Sequence, residues 1–263
     1  MSLTSNDIKA YQATTMPTSL TTSTVGGAIN TSAEITNGTI GEVLPSLASS
    51  LSGGGDKTLY AKYFLKNVSA SDDLPNAKIF VENLLDDGPV GNHNITIRPS
   101  AAGDDSTVVA KLIGFDSGGA SLIENLPLNG DADVTSVGQF SELVAVESRL
   151  ASGGALVRSV SQWTVKKNTT VVGYVPASSY GATSEVAIGL EASLNGSSTT
   201  TDATTAPSGI TFSKPKDYAG GLAVATGTLT HGDAQAIWER WINPERRATS
   251  PDFELVVSIQ GDI

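Results

Sequence analysis

Apolar and polar residues along this chain alternate over short stretches bounded by turn-forming residues. Leu59-Tyr60-Ala61-Lys62-Tyr63-Phe64-Leu65-Lys66-Asn67-Val68 reads as an aromatic-rich strand. Asp72-Asp73-Leu74-Pro75-Asn76 supplies a turn, and Ala77-Lys78-Ile79-Phe80-Val81-Glu82 reads as the next strand. Further strand-like runs cover 95–98, 107–113, 121–126, 143–146, 156–165, 170–175, 185–190, 210–212, 222–229 and 253–259. Turn signals such as Asn129-Gly130 and Asn195-Gly196 separate them. Many short strands spaced by Gly, Asn, Asp and Pro predict an all-β protein built from β-sandwiches.

One segment has a different period. Ala234, Ile237, Trp238, Trp241 and Ile242 fall at i, i+3, i+4, i+7 and i+8, with Asp233 as an N-cap and Pro244 as a stop. That spacing is the template of an amphipathic helix.

The first 58 residues are poor in large apolar groups and rich in Thr, Ser and Gly. Such a segment buries too little surface to offset its ordering entropy, so it predicts an extended N-terminal arm over 1–58. Within it, Glu34-Ile35-Thr36-Asn37-Gly38-Thr39-Ile40-Gly41 carries a hairpin signal, and Ser49 to Gly55 reads as a linker.

Composition narrows the function. The 263 residues include 31 Ser, 28 Thr and 27 Gly, and only 16% are charged. The net charge of −11 opposes binding to phosphate backbones, so no nucleic-acid partner is expected. No apolar run approaches the roughly 18 residues of a membrane span, and no membrane partner is expected. The opening Met1-Ser2-Leu3-Thr4-Ser5-Asn6-Asp7 lacks a basic flank and an apolar run, unlike a secretory signal. Without cysteine there is neither a disulfide nor a thiolate site.

Candidate chemistry is sparse. Asp72-Asp73, Asp86-Asp87 and Asp104-Asp105, with Asp131 and Asp133, lack the ordered ligand spacing of a calcium loop and read as turn residues. His93 and His231 are the sole histidines, and no G-x-S-x-G elbow accompanies the abundant serines. Gly53-Gly54-Gly55 and Gly118-Gly119 lack the spacing of a phosphate cradle. Asn-x-Ser/Thr sequons at Asn30, Asn37, Asn67, Asn94, Asn168 and Asn195 compare with about three expected by chance in so Ser/Thr-rich a chain, and without a secretory signal they carry little weight. Trp238, Arg240 and Trp241 form the largest aromatic and basic cluster, readable as a sugar platform or, with more weight, as core. The chain is therefore expected to be no enzyme, with no catalytic residue, no cofactor and no metal.

Thr204-Thr205-Ala206-Pro207-Ser208-Gly209-Ile210-Thr211-Phe212, followed by a Gly-rich strand and Ala236-Ile237-Trp238-Glu239-Arg240-Trp241-Ile242-Asn243-Pro244, resembles the end of tailed-bacteriophage virion structural proteins. Those proteins close with a Trp-x-Arg strand, a Pro-containing turn and a final strand near Gly-Asp, here Phe253 to Asp262. Their opening is similar to Asp7-Ile8-Lys9-Ala10-Tyr11 and the Ser23-to-Ile29 stretch containing Gly26-Gly27. Residues 106–177 resemble a second module of phage structural proteins through Leu128-Asn129-Gly130, Val134-Thr135-Ser136 and Phe140. Trp241 departs from the pattern, where a second Arg is commoner. The resemblance implies that 236–242 is a strand, against its helical period.

It also implies an organisation: an arm at 1–58, a discontinuous Ig-like or jelly-roll-like β-sandwich from 59–103 and 181–263, and an inserted β-sandwich at 104–180. The implied function is a capsid decoration or cement protein on the outer surface of a phage head, made in the host cytoplasm. Its expected partners are the major capsid protein and itself, as a homotrimer. The alternative is a tail, baseplate or fibre-associated protein contacting host glycans.

Overall fold

The computed structural model describes residues 3–17, 24–36, 43, 57–103, 107–152, 154–243 and 255–262. The Asn37-Gly38 hairpin signal, the 49–55 linker and Asp104-Asp105 lie outside the described residues. In chain order the strands begin with β1 (Ile8–Thr15), β2 (Val25–Glu34), β3 (Lys57–Asn67), β4 (Leu74–Pro75) and β5 (Lys78–Val81). There follow β6 (Ile95–Pro99), β7 (Val108–Phe115), β8 (Ser121–Pro127), β9 (Val134–Thr135), β10 (Glu142–Leu150), β11 (Trp163–Lys167), β12 (Thr170–Val175) and β13 (Gly181–Thr183). The last are β14 (Val186–Leu190), β15 (Thr199–Thr200), β16 (Leu222–Ala223), β17 (Thr228–Leu229), β18 (Ala234–Asn243) and β19 (Val257–Gln260). The fold is all-β.

The chain divides into two compact units, one of residues 1–80, 186–245 and 258–263 and the other of 81–185 and 246–257. The first contains a six-stranded sheet of order β14-β18-β3-β1-β2-β15. Residues 8–34, within the span read as an arm, supply two of its strands. Their backbone is satisfied by pairing rather than by solvent: Ile8↔Asn67 through Gln12↔Tyr63 joins β1 to β3, and β1 pairs in turn with β2. Tyr11 and Ala13 are buried at alternate positions, so the short apolar set of β1 faces inward while its polar residues lie near the surface.

The segment with helical spacing is β18, paired with β3 over ten positions from Ala234↔Lys66 to Asn243↔Lys57 and with β14 on its other edge. A strand flanked on both edges and covered on both faces buries consecutive residues. Ala234 through Glu239 are all buried, which hides the period of two that an edge strand would display.

In the second unit, one four-stranded sheet has the order β13-β10-β7-β8 and another β12-β11-β6-β9. Both contribute to a single core. Ala110, Leu112 and Val146 come from the first, and Ile97, Trp163, Val165 and Val172 from the second. Val108, from the first of these sheets, faces the same core, whereas Ile113 and Val144 of that sheet lie in a separate cluster with Phe115.

Candidate functional site

Lys62 is fully buried in the middle of β3, in phase with Tyr60 and Phe64. Its register partner on β18 is Trp238, also without exposed surface. A buried ammonium needs a counter-charge and acceptors for its three protons. Glu191, just past β14, supplies the first, with Oε1 2.5 Å from Lys62 Nζ. Lys62 Nζ also donates to the carbonyl oxygens of Gly27 at 2.9 Å, Gly196 at 3.0 Å and Ser198 at 3.2 Å. The ring centroids of Phe64 and Trp238 lie 5.0 and 5.7 Å from the nitrogen.

Glu191 is held from the other side as well. Trp238 Nε1 donates to its Oε1 at 2.9 Å, and Ser198 Oγ donates to the same oxygen. Gln235 Nε2 donates to the Glu191 carbonyl at 3.0 Å. Burial pulls the Lys62 amine below its ordinary range, and the adjoining carboxylate acts against that pull. For Glu191, burial pushes upward, but the Lys62 ammonium and the Ser198 and Trp238 donors outweigh it and hold the carboxyl low. A carboxylate and three carbonyl oxygens around Nζ, all acceptors, are the surroundings that suit an ammonium. With its donors spent on a carboxylate and backbone carbonyls, the ammonium is neither a base nor a nucleophile. It ties β2, β3, β18 and the 191–198 segment into one node.

Gly26 completes this node. A Cβ added there would stand 2.6 Å from the Ser198 carbonyl and 3.0 Å from Cη2 and Cζ2 of Trp238, and its φ is +104°. Only glycine brings the β2 backbone this close to the indole.

A second buried carboxylate, Glu147 on β10, accepts from Arg149 Nε at 2.7 Å and faces Lys111 Nζ at 3.3 Å, its register partner on β7. A third, Glu239 on β18, is raised by burial from 4.5 to about 7. Tyr63, whose hydroxyl has no hydrogen-bond partner among the described residues, is also raised by burial, with a contribution from the Glu239 charge.

The residues singled out in the sequence sit elsewhere. Asp73 Oδ1 accepts from the His231 backbone N–H at 2.8 Å and lies 2.8 Å from His231 Nδ1, which fixes an exposed turn. His93 Nε2 lies 3.1 Å from the Val90 carbonyl. Asp133 is near Arg98 and Lys166, and the Asp131 carbonyl accepts from Arg98. Asp86 and Asp87 are exposed, and Lys167 Nζ donates to the Asp87 carbonyl. Among the described residues, no three potential metal ligands converge. Trp238 is core, Trp241 packs beside it, and the Arg240 guanidinium stacks 5.2 Å from the Phe212 centroid. These rings do not form an open platform for a sugar. Asn67, one of the sequons, is fully buried and donates to the Asp72 and Leu229 carbonyls.

Lys62 and Glu191 carried a signal that residue-type motifs overlook. A lysine at the same parity as Tyr60 and Phe64 in an apolar strand must be buried and must find an anion. Which anion it finds depends on pairing 129 residues away and cannot be read locally. No protein-family model matches the chain, and neither a curated protein nor a solved structure is significantly similar to it.

Proposed function

We propose that this protein is a non-enzymatic virion structural protein that decorates a phage head and stabilises it by bridging major capsid subunits, acting as a symmetric homotrimer. One observation carries the reading. The opening Gly26-Gly27 segment and the closing Trp238-Glu239-Arg240 strand, the two ends on which the phage resemblance rests, meet at the Lys62 node. Residues that share a motif pattern and also share a contact are what a common architecture produces.

In this reading the two units are β-sandwich modules and the protein works by binding. A ligand that binds only the assembled shell stabilises that state by mass action. A trimer places a closed, symmetric interface at threefold or quasi-threefold positions. Buried ion pairs whose groups are consumed in holding strands together suit a body that must keep its shape on a pressurised shell.

The test is imaging of virions carrying labelled protein, together with heating of particles that lack it. Label on the head and DNA release at lower temperature support the proposal. Label on the tail, with loss of adsorption to cells and unchanged particle stability, replaces it with the tail-protein reading.

A further inference from the structure

β8 ends the sheet β13-β10-β7-β8 and pairs with β7 from Val109↔Pro127 to Phe115↔Ser121 without a register shift. Two bonds that continue this ladder past its ends fix its phase. Leu128 N donates to the Val108 carbonyl at 3.2 Å, and Asp116 N donates to the Ala120 carbonyl at 3.0 Å. In an antiparallel ladder the bonded pairs recur at every second residue. Leu122, Glu124 and Leu126 therefore turn their N–H and C=O groups toward β7, and Ser121, Ile123 and Asn125 turn theirs away. Those outward groups have no hydrogen-bond partner among the described residues. Other edges in the same unit are closed: Leu85 bridges Gly173 on β12, and Leu84 bridges Thr183 on β13.

The open edge is held firmly and carries no charge. Asp116 Oδ1 accepts from the N–H groups of Gly118 and Ala120, which closes the β7–β8 turn. Glu124, on the inward face, is spent on the N–H groups of Val137 and Gly138, each at 2.8 Å. On the outward face Ser121, Ile123 and Asn125 are exposed, Ile123 by 39%. Sheet edges are ordinarily guarded against self-pairing by lysine, proline or a bulge. Residues 121–126 contain none of these.

In a chain of net charge −11, copies repel one another over most of their surface. An uncharged, unguarded edge is where that repulsion is weakest. This edge is also self-complementary. Antiparallel pairing about a twofold axis at Ile123 sets Ser121 opposite Asn125 of the second copy and brings the two Ile123 side chains together. Each of these pairs uses outward groups only, so each closes two backbone hydrogen bonds. We infer that β8 is a docking edge for a second copy of this chain, the two β8 strands pairing antiparallel across a twofold axis. The contact is small and gains strength where copies are already held close together. It is distinct from the threefold contact of the proposed function, on which it rests only in joining one trimer to the next.

The chain has no cysteine, so one introduced thiol reports the geometry. Across the axis the two Ile123 Cα atoms stand about 5.5 Å apart, whereas the two Ser121 Cα atoms are four residues out of step, roughly 14 Å. The experiment treats full-length Ile123→Cys and Ser121→Cys with the shortest bifunctional thiol reagents. Ile123→Cys should cross-link to a pair at least ten-fold faster. Equal rates would show random collision and overturn the docking edge. In sedimentation, Ile123→Lys should keep the wild-type melting profile and self-associate at least ten-fold more weakly. Should Ile123→Lys melt early, Asn125→Pro takes its place, because the N–H it removes is one the β7 ladder does not use. Wild-type association by a folded variant overturns the docking edge. Cross-linked pairs of single chains, with no species of three, keep the docking edge and remove the trimer from the proposed function. A trimer in which Ile123→Cys cross-links no faster than Ser121→Cys does the reverse.

Discussion

The indole of Trp238 lies against Gly26, close enough that Cη2 and Cζ2 stand 3.0 Å from where a Cβ would be. β18 thus needs the absence of a side chain more than two hundred residues earlier. Gly26→Ala should cost about 3 kcal/mol, combining a left-handed backbone strained by a side chain with overpacking against ring and carbonyl. Urea denaturation measures it. A loss under about 1 kcal/mol, the ordinary scale of a tolerated substitution, would show that the strand can shift away from the ring.

The Lys62–Glu191 pair predicts strong coupling. Lys62→Met leaves a buried carboxylate, and Glu191→Leu leaves a buried ammonium, so each alone should cost about 3–5 kcal/mol. Removing both charges relieves that penalty. The double variant should therefore be more stable than the sum of the single losses by about 2 kcal/mol or more. Additive losses in the cycle would mean that water reaches the node and screens it.

Glu239 sets the response to rising pH. Its carboxyl is raised by burial from 4.5 to about 7 in the folded chain. The neutral form is favoured by folding, so the stability it permits is intact below pH 4.5, falls between 4.5 and 7, and is constant above. At 1.36 kcal/mol per pKa unit the decline is about 3 kcal/mol. Glu239→Gln should remove it, so the variant's advantage over wild type should grow from pH 5 to pH 8. Glu191 acts in the opposite window. Its carboxyl is held low in the fold, so its contribution is present above 4.5 and is lost as pH falls further. Thermal melts from pH 3 to pH 9 should show both slopes, and a flat wild-type profile above pH 5 would contradict the assignment to Glu239.

These predictions turn on residues of unequal legibility. The all-β class was readable because Val- and Thr-rich runs between Gly, Asn and Pro carry a local signal: β7 and β12 coincide with such runs, whereas the run at 156–165 overlaps β11 only over 163–165. At β18 the local signal pointed to a helix. Its two flanking strands come from 57–67 and 186–190, and burial on both faces erased its alternation. The Lys62 node is also non-local: the lysine advertised a need for an anion, but Glu191, Gly196 and Ser198 become its neighbours only through sheet order. Composition was a poor guide to the N-terminal segment. Thr-rich strands with few large side chains are stable as sheet members when backbone pairing and a few inward residues such as Tyr11, Ala13 and Val25 suffice.

That last point has a direct test. Residues 8–34 supply β1 and β2, cover Trp238 at Gly26, and give Lys62 the carbonyl of Gly27. Deleting residues 1–34 would strip two strands from the six-stranded sheet, open the edge of β3 and leave a buried ammonium short of an acceptor. An arm behaves differently, because its removal leaves the body folded and weakens only attachment. Strand membership therefore predicts that the truncated protein loses the near-ultraviolet signal of Trp238 and Trp241 and the cooperative melting of the first unit, and that trypsin cuts slowly after Lys9 in the intact free protein. If the truncated chain melts as the full-length protein does, and Lys9 is cleaved at once, then β1 and β2 detach at little cost and the segment works as an arm. Truncation and proteolysis read the same equilibrium from two sides: the free energy that holds β1 against β3 protects the Lys9 bond and is the energy the deletion forfeits.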